Sequence, residues 1–149
     1  MNIKKIGEYR KLLDVSKTAS LKELKTIYRN AMKDIHPDII RDDNERVAAE
    51  EKSKSIIEAY HFLVSIAPET QENVKEEYIK TTTTSGILEF YFEKSVLTIH
   101  FLTGNKFEYF GVPHSTYSKM VNSESPARFA RRHVYNNFLY RSASKLVSA

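Results

Sequence analysis

The chain of 149 residues contains no cysteine. This absence excludes disulfides, thiolate metal sites and a cysteine nucleophile. Long apolar runs are also missing, and Lys4 and Lys5 near the start are not followed by the apolar stretch of a signal peptide. We therefore expect a soluble, cytoplasmic protein with no membrane partner.

Signatures of catalysis are missing as well. No glycine-rich loop is present to cradle a phosphate, and no nucleophile stands in a recognisable strained turn. The five histidines lack the spacing typical of metal ligands; they are His36, His61, His100, His114 and His133. A Ser-His-Asp set drawn from separate segments is the alternative, but we predict no enzyme, no metal, no cofactor and no small-molecule substrate.

Composition indicates a folded protein. Hydrophobic residues make up 41% of the chain and charged residues 28%, and the length fits one ordinary domain or, as we favour, two small ones. Basic residues exceed acidic ones by 13 to 11 in residues 1–65 and by 8 to 4 in residues 85–149. The basic C-terminal part suits a solvated surface, which is the more common case, or an anionic partner.

The clearest predicted helix begins at Leu21. Its apolar residues recur at three-and-four spacing, on one face; they are Leu21, Leu24, Ile27, Tyr28, Ala31, Met32 and Ile35. Ser20 and Glu23 form a capping-box pattern that fixes the start. Pro37 ends the helix because its ring removes a backbone donor.

Two further helices complete the N-terminal half. Their apolar positions are Tyr9, Leu12 and Leu13 in a short first helix, and Ala49, Ile56, Tyr60 and Leu63 in a long third one. The charged stretch 41–45 allows the chain to turn back between the two long helices. The pattern therefore predicts an antiparallel helical hairpin with a short helix against one side, an all-α domain over residues 1–66.

One face of the central helix is basic. Lys22, Lys25, Arg29 and Lys33 recur opposite the apolar stripe and lead toward position 36. A basic helix face is, by itself, more often a solvated surface than a binding site.

Taken together, these residues resemble the J-domain of the DnaJ co-chaperone family, over roughly residues 7–65. The matching segments are 8–15 (EYRKLLDV), 19–25 (ASLKELK), Tyr28-Arg29, His36-Pro37-Asp38, Glu58-Ala59-Tyr60 and Leu63. A His-Pro-Asp tripeptide is weak alone, but it is specific in this position between two helices of the right spacing.

The resemblance implies docking on the ATPase of a DnaK-type chaperone. The basic face would meet an acidic surface there, while His36, Pro37 and Asp38 would reach the junction that controls hydrolysis. Pro37 limits backbone freedom, and the Asp38 carboxylate is suited to bidentate pairing with an arginine of the partner. A simple turn at the end of a helix is the alternative for this tripeptide.

Three positions depart from the family pattern. Asp34 and Ile39 stand where lysine is usual, which weakens the positive field beside the tripeptide. Ser53 lies on the inward stripe where the family has a phenylalanine. Burial worth roughly 2 kcal/mol must then come from elsewhere, for instance from Phe62 or Ile57.

Residues 67–84 are predicted to form a linker. They contain Pro68, four glutamates and the run Thr81–Thr84, with one more helical turn through Val74 and Tyr78 as an alternative.

Beyond position 85 the apolar period changes to two. The alternating residues are Leu88, Phe90 and Phe92, then Leu97, Ile99 and Phe101, then Phe107 and Tyr109. The turns at 93–95 and 103–105 are short enough for hairpins, which predicts a three-stranded antiparallel meander.

Pro113 ends this sheet, and two helices are predicted after it. Tyr117, Met120 and Val121 indicate a short one. The second begins where Ser125 can cap it and Pro126 fits the first position, and its apolar stripe is Ala127, Ala130, Val134 and Phe138. Helices packed on one sheet face make residues 85–149 a small α+β domain.

This half is similar to the KTSC domain, over about residues 85–141, a module found alone or appended to some lysyl-tRNA synthetases. The residues that carry the similarity are 97–101 (LTIHF), Gly104, Phe107-Glu108-Tyr109, Val112-Pro113, Tyr117, Ser125 and Phe129. The family's central Tyr-x-Tyr is Phe107-Glu108-Tyr109 here, and its glycine and asparagine near the final helix are Ala127 and Ala130. What the similarity suggests is at most RNA binding.

The residues themselves allow an RNA contact. Lys106, Arg128, Arg131 and Arg132 could meet phosphates, and an exposed Tyr109 or Tyr91 could stack on a base. Core packing is the favoured role for Phe107 and Tyr109, because a small domain needs most of its aromatics for its own core.

Two functions follow as hypotheses. The first is a co-chaperone that stimulates a DnaK-type ATPase, with a C-terminal domain that selects a client or a location. The alternative is an RNA-binding protein that acts through its basic C-terminal domain and whose J-domain has drifted.

Overall fold

A computed structural model describes residues 3–35 and 41–143 of the chain. The elements in chain order are α1 (Ile3–Leu13), α2 (Leu21–Ile35), α3 (Asp43–Ile66), α4 (Pro68–Thr84), β1 (Ile87–Glu93), β2 (Val96–Phe101), β3 (Lys106–Phe110), α5 (His114–Val121), α6 (Pro126–His133) and β4 (Leu139–Ser142). The chain divides into two compact units, and the boundary between Gln71 and Glu72 lies within α4.

The first unit is a helical hairpin with α1 beside it. Leu24 near the start of α2 lines a small cleft together with Leu63 near the end of α3. One turn later in α2, Tyr28 stacks on Tyr60, which lies earlier in α3. The later residue of α2 thus meets the earlier residue of α3. The helices α2 and α3 are therefore antiparallel, as predicted.

The core of the first unit contains some of the predicted apolar positions and others that periodicity did not mark. Its buried apolar residues are Ile6, Tyr9, Leu13, Ala19, Leu24, Ala49, Ile56, Ala59, Phe62, Leu63 and Ile66. Leu24 is the one buried residue of the predicted α2 stripe, and Leu12 on α1 is 42% exposed. Ser53 is also buried, and its hydroxyl donates to the carbonyl oxygen of Glu50. Phe62, nine residues further along α3, is buried, and its ring centroid lies 5.5 Å from that of Tyr9.

The segment predicted to be a linker is instead the 17-residue helix α4. Pro68 occupies the first helical position, where a missing backbone donor costs nothing. The threonine run, which suggested a loop, remains helical because the hydroxyls of Thr82, Thr83 and Thr84 donate to carbonyl oxygens one turn earlier. Periodicity alone missed α4 because its buried side includes threonines as well as Tyr78.

The second unit is built on an antiparallel sheet of order β1-β2-β3-β4. β1 and β2 are joined by a two-residue turn, in which Lys94 and Ser95 both have positive φ, at 50° and 64°. Two positive φ values are the signature of a type I′ turn, whose twist matches that of the strands. The meander of the first three strands is confirmed.

The sheet also has a fourth strand that the sequence did not predict. β4 is only four residues long, and it pairs with β3 through Tyr109 opposite Tyr140 and Glu108 opposite Arg141. The predicted apolar stripe ran through Phe138 as part of the last helix, but α6 ends at His133. A four-residue strand is too short for its alternation to stand out from a helical period.

One face of this sheet is covered and carries the core of the second unit. The buried cluster contains Leu97, Ile99, Phe101, Phe107 and Tyr109 from the strands, with Tyr78, Val112, Met120, Ala130, Val134 and Tyr135 packed against them. The small α+β architecture is therefore confirmed, with α4 adding to the covered face.

Candidate functional site

The basic face predicted on α2 is exposed. Lys22, Lys25, Arg29 and Lys33 all lie on the solvent side of the helix. Within the described ranges none of the four pairs with a carboxylate. The four side chains form a row of cations about three helical turns long, and no carboxylate in the described residues neutralises it.

One half of the predicted capping box holds the start of α2, and the Glu23 side chain accepts from the Ser20 hydroxyl rather than from the Ser20 backbone N–H. The Glu23 backbone N–H donates to the Ser20 hydroxyl oxygen at 3.1 Å, and that hydroxyl donates to Glu23 Oε1 at 3.2 Å. The Leu21 backbone N–H donates to Glu69 Oε1 at 2.8 Å. Three otherwise unpaired groups are satisfied, which fixes the first turn of the helix that bears the cations.

Aromatic packing holds the same helix against α3. The rings of Tyr28 and Tyr60 are stacked, with centroids 4.2 Å apart and planes within 14°. On the α1 side, the Tyr9 hydroxyl donates to Glu58 Oε1 at 2.8 Å. These contacts hold the helix that bears the cationic row in place. Because the row is already rigid, less conformational entropy is lost when a partner binds.

The predicted tripeptide His36-Pro37-Asp38 lies outside the described residues, as does Ile39. In the sequence it follows α2, which ends at Ile35. Its role therefore stays a prediction. Asp34, the other departure beside it, is exposed on α2 and places one carboxylate among the cations.

The five residues suggested for RNA binding are not brought together. Tyr109 is fully buried, so its ring is not available to stack on a base. Its hydroxyl donates to the Tyr78 hydroxyl at 3.3 Å, which makes it part of the core as favoured above. Lys106 lies on the open sheet face, with Nζ 5.9 Å from the centroid of the Tyr91 ring. Arg128, Arg131 and Arg132 are exposed on α6, which packs Ala130 against the covered face.

The open sheet face carries a groove that the sequence did not indicate. Its volume is about 330 Å³, and Tyr91, Thr98, Glu108 and Arg141 lie along it in one register row. Arg141 donates from Nε at 3.0 Å and from Nη2 at 2.7 Å to Glu108 Oε1. The pairing of these two could not be foreseen, because it requires β4.

Buried tyrosines form a cluster beneath the covered face. Burial raises the pKa of Tyr78 to about 12, although its hydrogen bond with Tyr109 acts in the opposite direction. Burial also raises the pKa of Tyr109 and of Tyr135, and the charge of Arg131 partly opposes the rise at Tyr135. These hydroxyls stay protonated at neutral pH. Those of Tyr78 and Tyr109 donate hydrogen bonds within the core, whereas the buried Tyr135 hydroxyl has no hydrogen-bond partner among the described residues.

No helix in residues 3–35 or 41–143 is long and apolar enough to cross a membrane. In the same ranges no cluster of three or more histidine or acidic side chains is arranged to hold a metal ion.

Comparison with protein families identifies both halves. A model of the DnaJ domain matches residues 8–73, and a model of the KTSC domain matches residues 85–138. Both resemblances inferred from the sequence are confirmed, with nearly the same limits. The chain thus carries a DnaJ domain followed by a KTSC domain.

Curated relatives match the DnaJ half alone. The chaperone protein DnaJ of Hydrogenobacter thermophilus is 42% identical over 73 residues, which are 49% of this chain and 18% of that protein. The DnaJ proteins of Halothermothrix orenii (46% over 56 residues) and Staphylococcus carnosus (42% over 71 residues) are covered to 14% and 16% of their length, and the matches span 38% and 48% of this chain. The chain spans less than a fifth of the length of each of these relatives.

Proposed function

We propose that this protein docks on a DnaK-type chaperone and stimulates its ATP hydrolysis, while the KTSC domain selects a client or a location. The observation that carries the proposal is the exposed row of Lys22, Lys25, Arg29 and Lys33 on α2, within a segment that matches the DnaJ domain.

Electrostatics suits this row to docking. Four cations at successive turns of one braced helix produce a positive stripe that attracts an acidic surface and orients the encounter. Because the charges are exposed, their contribution appears mainly in the association rate and weakens as salt rises. The carboxylate of Asp34 lies on the same helix and subtracts from that field.

The stimulation itself is assigned to His36, Pro37 and Asp38, by the resemblance. Proline restricts the backbone beside the aspartate, and a carboxylate is the group that pairs most specifically with an arginine fork. In the proposed complex the cations of α2 supply attraction, and Asp38 supplies the contact that changes the turnover of the partner.

The test is ATP turnover by a DnaK-type chaperone, with and without the full chain. Asp38→Asn keeps the size and removes the charge, so stimulation is expected to be lost. Asp34→Asn is the matched control: it removes a neighbouring exposed carboxylate, and stimulation should be unchanged or slightly stronger because the positive field increases. Equal stimulation by the wild type and by Asp38→Asn contradicts the mechanism.

A second candidate function is RNA binding by the KTSC half. The observation that favours it is the excess of 8 basic over 4 acidic residues in 85–149, with Arg128, Arg131 and Arg132 exposed. Binding of a single-stranded RNA to the full chain should weaken steeply with salt, since phosphate contacts release counterions. No binding at low salt removes this candidate.

A further inference from the structure

The outer face of α6 carries three arginines, none of which is ion-paired among the described residues. Arg128, Arg131 and Arg132 occupy positions i, i+3 and i+4, so they leave the helix on one side. Ala130, on the opposite side, is fully buried in the core. No carboxylate in the described ranges pairs with any of the three.

A groove of about 270 Å³ opens beside this face. Arg128 and Arg132 line it together with Phe129 and His133, whose ring centroids are 4.7 Å apart. Glu124 is the carboxylate in its lining. The groove therefore combines two cations one helical turn apart with a pair of planar rings.

The groove on the open sheet face is electrostatically different. Its cation Arg141 is bound to Glu108 at 2.7 Å, and Lys94 is offset by Glu93 in the same lining. Lys106, beside it, lies in the same register row as Glu89, whose Oε1 is 3.0 Å from His100 Nδ1. The opposing charges cancel there, whereas two arginines outweigh one glutamate beside α6. A polyanion is therefore attracted to α6 rather than to the sheet.

We propose that the α6 groove binds single-stranded RNA, with Arg128 and Arg132 on successive phosphates and the Phe129–His133 pair against one base. This inference rests on the second candidate function. The two arginines are about 6 Å apart along the helix axis, and the groove has room for a group the size of one base. An unpaired base can enter it, whereas a base in a duplex is held in the stack.

The N-terminal amides of α6 are not the basis of this site. The Arg128 backbone N–H already donates to the Ser125 hydroxyl at 3.3 Å, so the cap is occupied. Phosphate contact is assigned to the guanidinium groups, which present several donors in a fixed plane.

The experiment measures binding of a fluorescent single-stranded oligouridine to the full chain by anisotropy, at several salt concentrations. Arg128→Gln/Arg132→Gln removes two cations at i, i+4 spacing from an exposed helix face. Lys75→Gln/Lys80→Gln on α4 is the control, with the same charge change at two exposed lysines that neither proposal uses. Arg128→Lys/Arg132→Lys retains both charges, and circular dichroism verifies that each variant is folded.

The α6 glutamine pair is expected to weaken binding at least about tenfold at low salt and to reduce the slope of log affinity against log salt by about 1.4, at roughly 0.7 per lost phosphate contact. The α4 control should bind like the wild type, and Arg128→Lys/Arg132→Lys should retain most of the affinity.

The outcomes distinguish RNA binding by the protein from the assignment of that binding to the α6 groove. Wild-type RNA binding that the α6 glutamine pair leaves unchanged overturns the groove assignment while RNA binding itself stands. Absence of wild-type binding at low salt overturns both. Displacement of the RNA by poly-glutamate at equal charge concentration, together with tighter binding of that peptide, assigns the groove to an acidic protein instead and also overturns the proposal.

Discussion

The ring of Tyr78 on α4 stacks on the ring of Tyr140 on β4, with centroids 3.8 Å apart and planes within 5°. These are the two elements that the sequence did not predict, and they hold each other on the covered side of the sheet. The Tyr78 hydroxyl also donates to the backbone carbonyl oxygen of Tyr135, and its ring meets that of Phe107 edge-on at 5.0 Å. α4 is therefore part of the core of the second unit.

The stability of the second unit should depend on Tyr78. Tyr78→Ala is expected to lower its free energy of unfolding by about 3–5 kcal/mol, because a buried aromatic ring is replaced by a cavity. Tyr78→Phe should cost about 1–3 kcal/mol, because it removes the hydrogen bond donated to Tyr135 and leaves the buried Tyr109 hydroxyl without its acceptor. Ile79→Ala, at a half-exposed neighbour, is the control and should change the free energy of unfolding by less than about 1 kcal/mol. Urea unfolding followed by the amide NMR signals of β2 and β3 provides the measurement. Equal effects of the alanine variants would show that α4 is not part of this core.

The limits of the C-terminal domain should follow the structure rather than the predicted linker. A fragment of residues 72–143 is expected to give dispersed amide NMR signals. A fragment of residues 85–143 should not, because it loses Tyr78 and the bonds from Asn105 Nδ2 to Glu77 Oε1 and to Thr81 Oγ1, both 2.9 Å long. Asn105→Ala in the full chain tests the same bonds without truncation and should cost about 1–3 kcal/mol. If the fragment of residues 85–143 folds, α4 is not required for the C-terminal domain and the prediction is wrong.

Alkaline pH should destabilise the second unit. The pKa of Tyr78 is raised to about 12 and those of Tyr109 and Tyr135 are raised as well, while tyrosines of the unfolded chain titrate near 10. Below pH 10 both states keep these protons and stability is constant. Above pH 10 the unfolded state alone loses them, so stability falls by roughly 1.4 kcal/mol per pH unit for each such tyrosine, until its folded pKa is reached. Tyrosinate absorbance and circular dichroism, recorded together, should change jointly above pH 10. The drop should be smaller in Tyr78→Phe.

Docking through α2 should be salt-sensitive. Arg29→Gln/Lys33→Gln is expected to slow association with a DnaK-type chaperone by roughly tenfold at low ionic strength, and the difference should shrink near 1 M salt, where screening is nearly complete. Stopped-flow association rates measure this salt-dependent difference. The charge-matched variant Arg128→Gln/Arg132→Gln is the control. A salt-independent difference would point to lost shape complementarity rather than to steering.

The sequence was most informative where a regular spacing of apolar residues continues over many positions. The helix from Leu21 to Ile35, the contact of Ser20 with Glu23 and the alternation in β2 appear in the structure as predicted. In β1 the alternation holds for Phe90 and Phe92, but a register shift between Ile87 and Glu89 leaves Leu88 65% exposed. The α2 cations could be identified for the same reason, since a helix of known period determines which residues share its outer face.

The sites that depend on distant pairings were not predictable. Tyr109 and Tyr91 both seemed available for stacking, yet one is fully buried and the other is half exposed. Strand alternation divides side chains between two faces, but it does not say which face the helices cover. The contact of Arg141 with Glu108 and the groove beside α6 depend on that choice.

The sequence by itself determined the helical hairpin, the cationic row on α2 and the meander, because each follows from local periodicity and from capping groups a few residues apart. Tertiary structure alone decided that α4 belongs to the second core, that β4 extends the sheet and that the arginines of α6 lie apart from Lys106. The physical reason is that these features arise from burial of side chains far apart in the chain, and no local pattern encodes which of them will meet.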